Sequence, residues 1–235
     1  MAVALAHEQY GTGKPVLILH GLFGSGRNWQ AVAKRLADRH RVYTLDLRNH
    51  GASPWADSMS YREMAEDVHA FIRQQQLGPV TLIGHSMGGK TAMTSALMQP
   101  GSIARLVVLD IAPVAYKHRY GKLFHALANL SLSRIRSRKE AEQKLDALIN
   151  DITLSRFLLQ NLTRSRSGYR WRINLETIKN NIERISNFPV PAPHSVYHRP
   201  ALFLGGAESH LLQPSHLPAI RAYFPAATIE VINGA

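Results

Sequence analysis

The chain has 235 residues and not one cysteine. That absence excludes a disulfide scaffold, a thiolate nucleophile, a Cys-ligated zinc and an iron–sulfur cluster. No apolar run comes near the roughly 18 residues that a membrane-spanning helix needs. The first ten residues lack the basic start and apolar stretch of a signal peptide, and Glu8 stands among them. A cytoplasmic protein without stable membrane insertion is expected. Neither an RNA-binding aromatic signature nor a zinc-finger spacing is present, so no nucleic-acid partner is expected. The 12 histidines show no ligand spacing with nearby carboxylates, so neither a metal nor another cofactor is expected. Acidic residues are scarce as well, 16 against 28 Lys and Arg.

What is present alternates in period over the first 112 residues. Residues 16–19 form a short apolar run between Pro15 and Gly21, the signature of a buried strand. Trp29, Val32, Ala33 and Leu36 recur at helical spacing over 28–37, and 41–45 is the next strand. Ser60 and Glu63 form a capping box that opens a helix with Met64, Ala65, Val68, Phe71 and Ile72 on one face, closed by Gly78. Then follow a strand over 80–83, a tight turn over 84–89, a helix over 90–98 and a strand over 105–111. Strands alternating with single helices predict right-handed crossovers and a mostly parallel sheet with helices on both faces, an α/β class.

The rhythm changes over residues 113–200. Helices are expected over 116–130, over 138–149 behind a Ser137/Glu140 capping box, over 153–161, and over 175–185 after Asn174, with 168–173 as one short extended piece. Pro189, Pro191, Pro193 and Pro200 form a stiff connector. The strand–helix rhythm then resumes over 201–204, 217–223 and 228–232. The expected organisation is a core of residues 1–112 and 201–235, with 113–200 inserted as a helical lid above the strand C-termini, where such sheets bind ligands. The inserted segment carries 16 Lys and Arg against 6 Asp and Glu, and the remainder 12 against 10. Its basic field suits an acidic small molecule, or is no more than a solvated helical face.

Gly84-His85-Ser86-Met87-Gly88 lies between a predicted strand and a predicted helix, the context a nucleophile elbow requires. Gly84 and Gly88 leave room where a side chain would clash, and Ser86 Oγ projects above the sheet at a helix N-terminus. His20-Gly21-Leu22-Phe23-Gly24 follows the first parallel strand. In this topology one oxyanion N–H comes from the residue after the nucleophile, Met87, and a second from the early loop, Leu22 or Phe23. Phe23 is also expected against substrate. His20 is read as a residue that holds the turn through backbone hydrogen bonds rather than as a base.

The blocks HGLFGS (20–25), DLRNHGASP (46–54), GHSMGGK (84–90) and LDIAPV (109–114) together resemble the α/β-hydrolase superfamily and, within it, small bacterial esterases and thioesterases of the YbfF kind. The spacing agrees across about the first half of the chain, and the second half is similar in architecture. The resemblance implies a Ser–His–Asp hydrolase that cleaves an acyl ester or thioester under a helical lid. It implies Ser86 as nucleophile, Leu22 and Met87 as oxyanion donors and Asp110 as the acid, with Glu208 the alternative after the next strand. Asp46 is read as a structural ion-pair partner of Arg48. The histidine of this family follows the last strand, and no histidine follows His216 in this sequence. The base is therefore expected beyond Ala235, and the chain as given is expected to be a poor catalyst. His85 is expected to point away from the nucleophile, with His210 and His216 on the rim as substitutes. Dehalogenases and epoxide hydrolases need Asp at the elbow, and Ser86 excludes them. The other reading is a ligand-binding or regulatory protein with a hydrolase-like pocket and no catalysis.

Overall fold

In the computed structural model, which describes residues 1–117, 120–166 and 168–234, the first half runs β1 (His7–Tyr10), β2 (Lys14–Leu19), α1 (Gln30–Leu36), β3 (His40–Leu45), α2 (Tyr61–Gln74), β4 (Val80–His85), α3 (Met87–Met98) and β5 (Ile103–Leu109). The block that follows holds α4 (Gly121–Asn129), α5 (Arg138–Ile149), α6 (Ile152–Leu159), β6 (Leu162–Ser165), β7 (Gly168–Trp171), α7 (Leu175–Asn180) and α8 (Ile182–Ser186). The chain then returns to the sheet with β8 (Ala201–Gly206), α9 (Leu217–Tyr223) and β9 (Ala227–Ile232). Seven strands form one sheet in the order β1-β3-β2-β4-β5-β8-β9, parallel except for β1.

At β2 and β3 both faces are covered, which is why these strands read as apolar runs, whereas β4, β5 and β8 largely alternate buried and half-buried residues. Val16, Ile18 and Val42 pack with Ala33 of α1 on one face. Leu17, Leu19, Leu82 and Val108 face the other, where α2 and α3 lie. All active-end loops therefore leave the same, C-terminal edge. No helix among the described residues is long and apolar enough to cross a membrane.

Several elements depart from the sequence reading. Strand β1, HEQY, is largely exposed and carries no apolar alternation, and its pairing with β3 alone defines it. Helix α2 ends at Gln74 rather than at Gly78, because Gln76 takes the left-handed turn at φ 50°. Helix α4 begins at Gly121, not 116: the Tyr116 N–H is drawn out to Ser186 O at 3.1 Å, and residues 118–119 lie outside those described. Ser137 caps α5, but Glu140 returns its carboxylate to the Arg136 N–H at 2.9 Å rather than closing a box. The extended piece near 168 pairs with an unforeseen β6 as a hairpin. The helix expected over 175–185 breaks at Asn181, whose Nδ2 turns back to Thr177 O at 2.9 Å, a local bond that competes with the helical ladder.

Candidate active site

The turn between β4 and α3 sets Ser86 at φ 52°, ψ −116°, a conformation that costs a non-glycine residue about 1–3 kcal/mol. Its surroundings enforce it. The Ser86 N–H donates to Leu109 O on the neighbouring strand at 3.0 Å. A Cβ on Gly84 would meet Gly88 O at 2.2 Å, and one on Gly88 would meet the Leu19 and His20 carbonyl oxygens at 2.5 Å. Both glycines are thus fixed by backbone that cannot yield. Ser86 Oγ has no hydrogen-bond partner among the described residues and faces a cavity of about 800 Å³.

Residues 20–24 form the adjoining loop, held by two buried histidines. The His20 Nδ1–H donates to Gly21 O at 2.8 Å, and Nε2 accepts the Leu47 N–H at 2.9 Å. His50 answers from the other loop: Nδ1–H donates to Arg48 O at 3.0 Å and Nε2 accepts the Phe23 N–H at 3.2 Å. Each loop thus lends a ring to the other's backbone. Because amide N–H groups only donate and carbonyls only accept, both tautomers are determined. Burial pushes His20 down to about 4 and His50 to about 3. His20 has the turn-holding place expected of it, whereas sequence reading gave His50 no role, although it sits in the 46–54 block. With the Phe23 N–H engaged, Leu22 is the loop residue left to offer an N–H. Met87 opens α3, where the leading N–H groups have no intrahelical acceptor. The Phe23 ring is buried against Phe124 of α4, with centroids 5.8 Å apart, and lines the same cavity.

Asp46 does not pair with Arg48. Arg48 turns instead to Asp67, with Nε 2.7 Å from Oδ2, and to Glu63 at 3.4 Å. The Asp46 carboxylate accepts the Gly26 and Ala52 N–H groups at 2.7 and 2.8 Å, tying two loops together.

Asp110 directly follows β5, the strand beside that of Ser86, at φ 53°, and its N–H donates to Leu204 O at 2.8 Å. Its Oδ1 is buried with no hydrogen-bond partner. A buried carboxylate oxygen without a donor costs about 1–3 kcal/mol or more and calls for a functional explanation. Glu208 lies one strand further out and is exposed, as is His210. The His216 Nδ1 accepts the Gln213 N–H at 3.2 Å. The His85 ring packs over Gly21 and within 6.0 Å of Trp29 and contributes to the wall of the same cavity rather than leaving it. Burial lowers its pKa, against an opposing pull from Asp110.

Most of the remaining wall is apolar and comes from the start of α1 and from the lid, with Trp29, Val32, Leu123, Ile149, Leu154 and Phe157, beside polar Asn28, Tyr120 and Lys122. These apolar side chains are far apart in sequence, and nothing in their local pattern singles them out from core residues. Among the described residues, no group of three or more His, Asp or Glu is placed to hold a metal ion.

A strained serine at a strand–helix elbow, facing an apolar cavity at the C-terminal edge of a parallel sheet, defines a class. The family model for the alpha/beta hydrolase fold matches residues 14–235, and the chain belongs to that family. It is 38% identical to the sn-1-specific diacylglycerol lipase ABHD11 of Xenopus tropicalis over 99% of this chain and 76% of that one. It is 34% identical to esterase YbfF of Escherichia coli over 94% of this chain and 85% of that one. A solved marine microorganism esterase superposes with a TM-score of 0.96 at 42% identity, covering 100% of this chain and 92% of the other. The chain is thus an α/β hydrolase, and several of its relatives are named esterases or lipases.

Proposed function

We propose that this protein is a serine hydrolase that cleaves carboxylic esters or acyl thioesters through an acyl-enzyme on Ser86. In this reading Ser86 Oγ attacks the acyl carbonyl. The Leu22 and Met87 N–H groups receive the developing oxyanion, and Phe23 meets the acyl chain. A histidine acting as general base removes the serine proton and returns it to the leaving group, then activates water for deacylation. Asp110 orients that histidine and stabilises its charged form, which gives its unpartnered Oδ1 a use. The observation that carries the reading is the Ser86 backbone: a turn this strained, locked by two backbone–glycine contacts, is kept where it presents a nucleophile. The largely apolar cavity beside Ser86 supports an acyl chain as the group held.

The test is covalent labelling of the full-length gene product with an activated phosphonate, read by mass spectrometry. A single adduct on Ser86, lost in Ser86→Ala, is expected. Labelling that survives Ser86→Ala would overturn the assignment. An intact protein that binds an acyl ligand but neither labels nor turns over an ester would return the chain to the non-catalytic reading.

A further inference from the structure

A second cavity, of about 240 Å³, lies on the seam between core and lid, and three arginines line it: Arg27, Arg138 and Arg172. Arg27 comes from the turn before α1, Arg138 opens α5, and Arg172 follows β7. No run of sequence puts them together; the topology does. Among the described residues none of the three forms an ion pair, the arginines in ion pairs being Arg48, Arg62 and Arg156. No carboxylate lines the cavity. Asp46 lies beneath Gly51 at its edge, where a Cβ would meet Oδ2 at 2.0 Å, but both Asp46 oxygens already accept backbone N–H groups. Three arginines along one small cavity bring like charges together, and the planar fork of a guanidinium matches a tetrahedral oxyanion.

The site also adjoins the acyl cavity. Asn28 lines the acyl cavity, and its Nδ2 donates to Oε1 of Gln160, which lines the arginine cavity, at 2.6 Å. Asn161, on the same wall as Gln160, donates from Nδ2 to Phe23 O at 2.7 Å. Arg172 is fixed from both sides, its N–H to Asn161 O at 2.8 Å and its carbonyl accepting Trp55 Nε1–H at 3.3 Å. We propose that this cavity binds a compact oxyanion, a phosphate group, which ties lid to core beside the acyl cavity. Its volume of about 240 Å³ leaves ample room for a phosphate group. That phosphate is either the free ion or the anionic end of a substrate whose acyl chain lies next door.

The binding experiment needs no catalysis and so is independent of the hydrolase reading. Inorganic phosphate is titrated into the whole protein, and separately into Ser86→Ala, followed by calorimetry and thermal shift at ionic strength held constant with chloride. Saturable binding and a rise in Tm are expected in both. Arg27→Gln, Arg138→Gln and Arg172→Gln should each weaken phosphate at least about tenfold, since each removes a charge-assisted bond. Arg172→Lys should fall between, having charge without the fork. Arg105→Gln, exposed on β5 at the opposite end of its strand from Asp110, should leave affinity unchanged. The source is read from two aryl esters, one with a phosphate on its leaving group. If the substrate brings the phosphate, the arginine variants raise KM for that ester alone, and inorganic phosphate competes with it. If the free ion is the ligand, phosphate alters both esters alike without competing. A Tm rise that chloride reproduces, or that a folded Arg27→Gln/Arg172→Gln double variant retains in full, overturns the site.

Discussion

The floor and the roof of the acyl cavity are held in place by different means. In the floor, backbone meets backbone: carbonyls stand 2.2–2.5 Å from where a Cβ on Gly84 or Gly88 would fall, and two buried rings exchange hydrogen bonds between loops. The roof is made of short helices, α5 and α6 capped by their own Ser137 and Asp151, joined to the core mainly by side-chain bonds such as Asn161 to Phe23 and Tyr61 to Ile185, with a backbone bond from the Asn174 N–H to Asn49 O at 3.0 Å. The difference teaches where precision is needed. An oxyanion hole works only if its donors are fixed to a fraction of an ångström before the reaction. A wall that accommodates an acyl chain needs only shape and apolarity.

The comparison is tested most severely at the chemistry. Ser86→Ala should lower kcat on a short-chain aryl ester by roughly the 10⁶-fold seen when a serine protease loses its nucleophile. Asp110→Asn should cost about 10⁴-fold, as in the worked protease case, while Glu208→Gln on the exposed outer loop should leave kcat close to unchanged. Steady-state kinetics on the full-length gene product give the ranking, and the reverse order of Asp110 and Glu208 would move the acid outward.

Next in size is a pair of glycines. Gly88→Ala puts a methyl group 2.5 Å from two backbone carbonyl oxygens, of Leu19 at the end of β2 and of His20 just after it. The destabilisation should exceed about 4 kcal/mol, in the exceptional class, or prevent folding. Gly121→Ala, at the start of α4 with nothing within 4 Å of its Cβ, should be neutral or stabilise by about 0.4–1 kcal/mol. Urea unfolding of both variants decides. A mild Gly88→Ala would show that the floor yields after all.

The same contrast explains what could be read from the sequence. The elbow, the early loop and the sheet rhythm were legible because each depends on residues with few conformational alternatives: glycines at close approaches, apolar runs covered on both faces, a Ser60/Glu63 box that forms as expected. The lid was legible only as helices. Its break at Asn181 comes from a local bond to Thr177 O, and the late start of α4 from a tertiary one, Tyr116 N–H to Ser186 O, which no window of sequence contains. Asp46 was misread for the same reason, since its neighbour Arg48 is claimed by Asp67 of α2. His50 gave no signal of its own, because its partner, the Phe23 N–H, is 27 residues away.

Acid should act on the floor. His20 and His50 are neutral in the folded protein, with desolvation the main cause of their low values of about 4 and 3. In the unfolded chain both titrate near 6.5. Below about pH 6.5 the unfolded state therefore takes up protons that the folded state refuses, and stability falls with falling pH until the folded values are reached. Each ring contributes at most about 1.4 kcal/mol per pH unit across that window. His20→Gln and His50→Gln should flatten the slope of unfolding free energy between pH 6.5 and 4.5, each by up to that amount. An unchanged slope in both variants would mean that the rings are hydrated and the loops held otherwise.

The smallest effect concerns the roof, at Lys90. This side chain is buried, and Nζ donates to Ser186 O at 2.8 Å and Asn187 O at 3.1 Å, at the end of α8, with the Tyr116 ring 4.8 Å away. No acidic group forms an ion pair with it among the described residues. A cation suits a helix C-terminus, yet burial pushes Lys90 down to about 7. Lys90→Met keeps the apolar stem, loses the donors and sheds the buried charge. Those terms oppose one another, so global stability near pH 7 should change little. The pH dependence is the sharper measurement. Opening the lid end hydrates Lys90 and returns it toward its ordinary value near 10.5, so between about pH 7 and 10.5 opening takes up a proton. Raising the pH then disfavours opening, by at most about tenfold per unit. Hydrogen exchange of residues 182–187, corrected for intrinsic rates, should show protection rising from pH 7 to 9 in the native protein and staying level in Lys90→Met. A native protein whose protection also stays level would show that Lys90 already reaches water with the lid seated, and that roof and floor are alike in how they meet solvent.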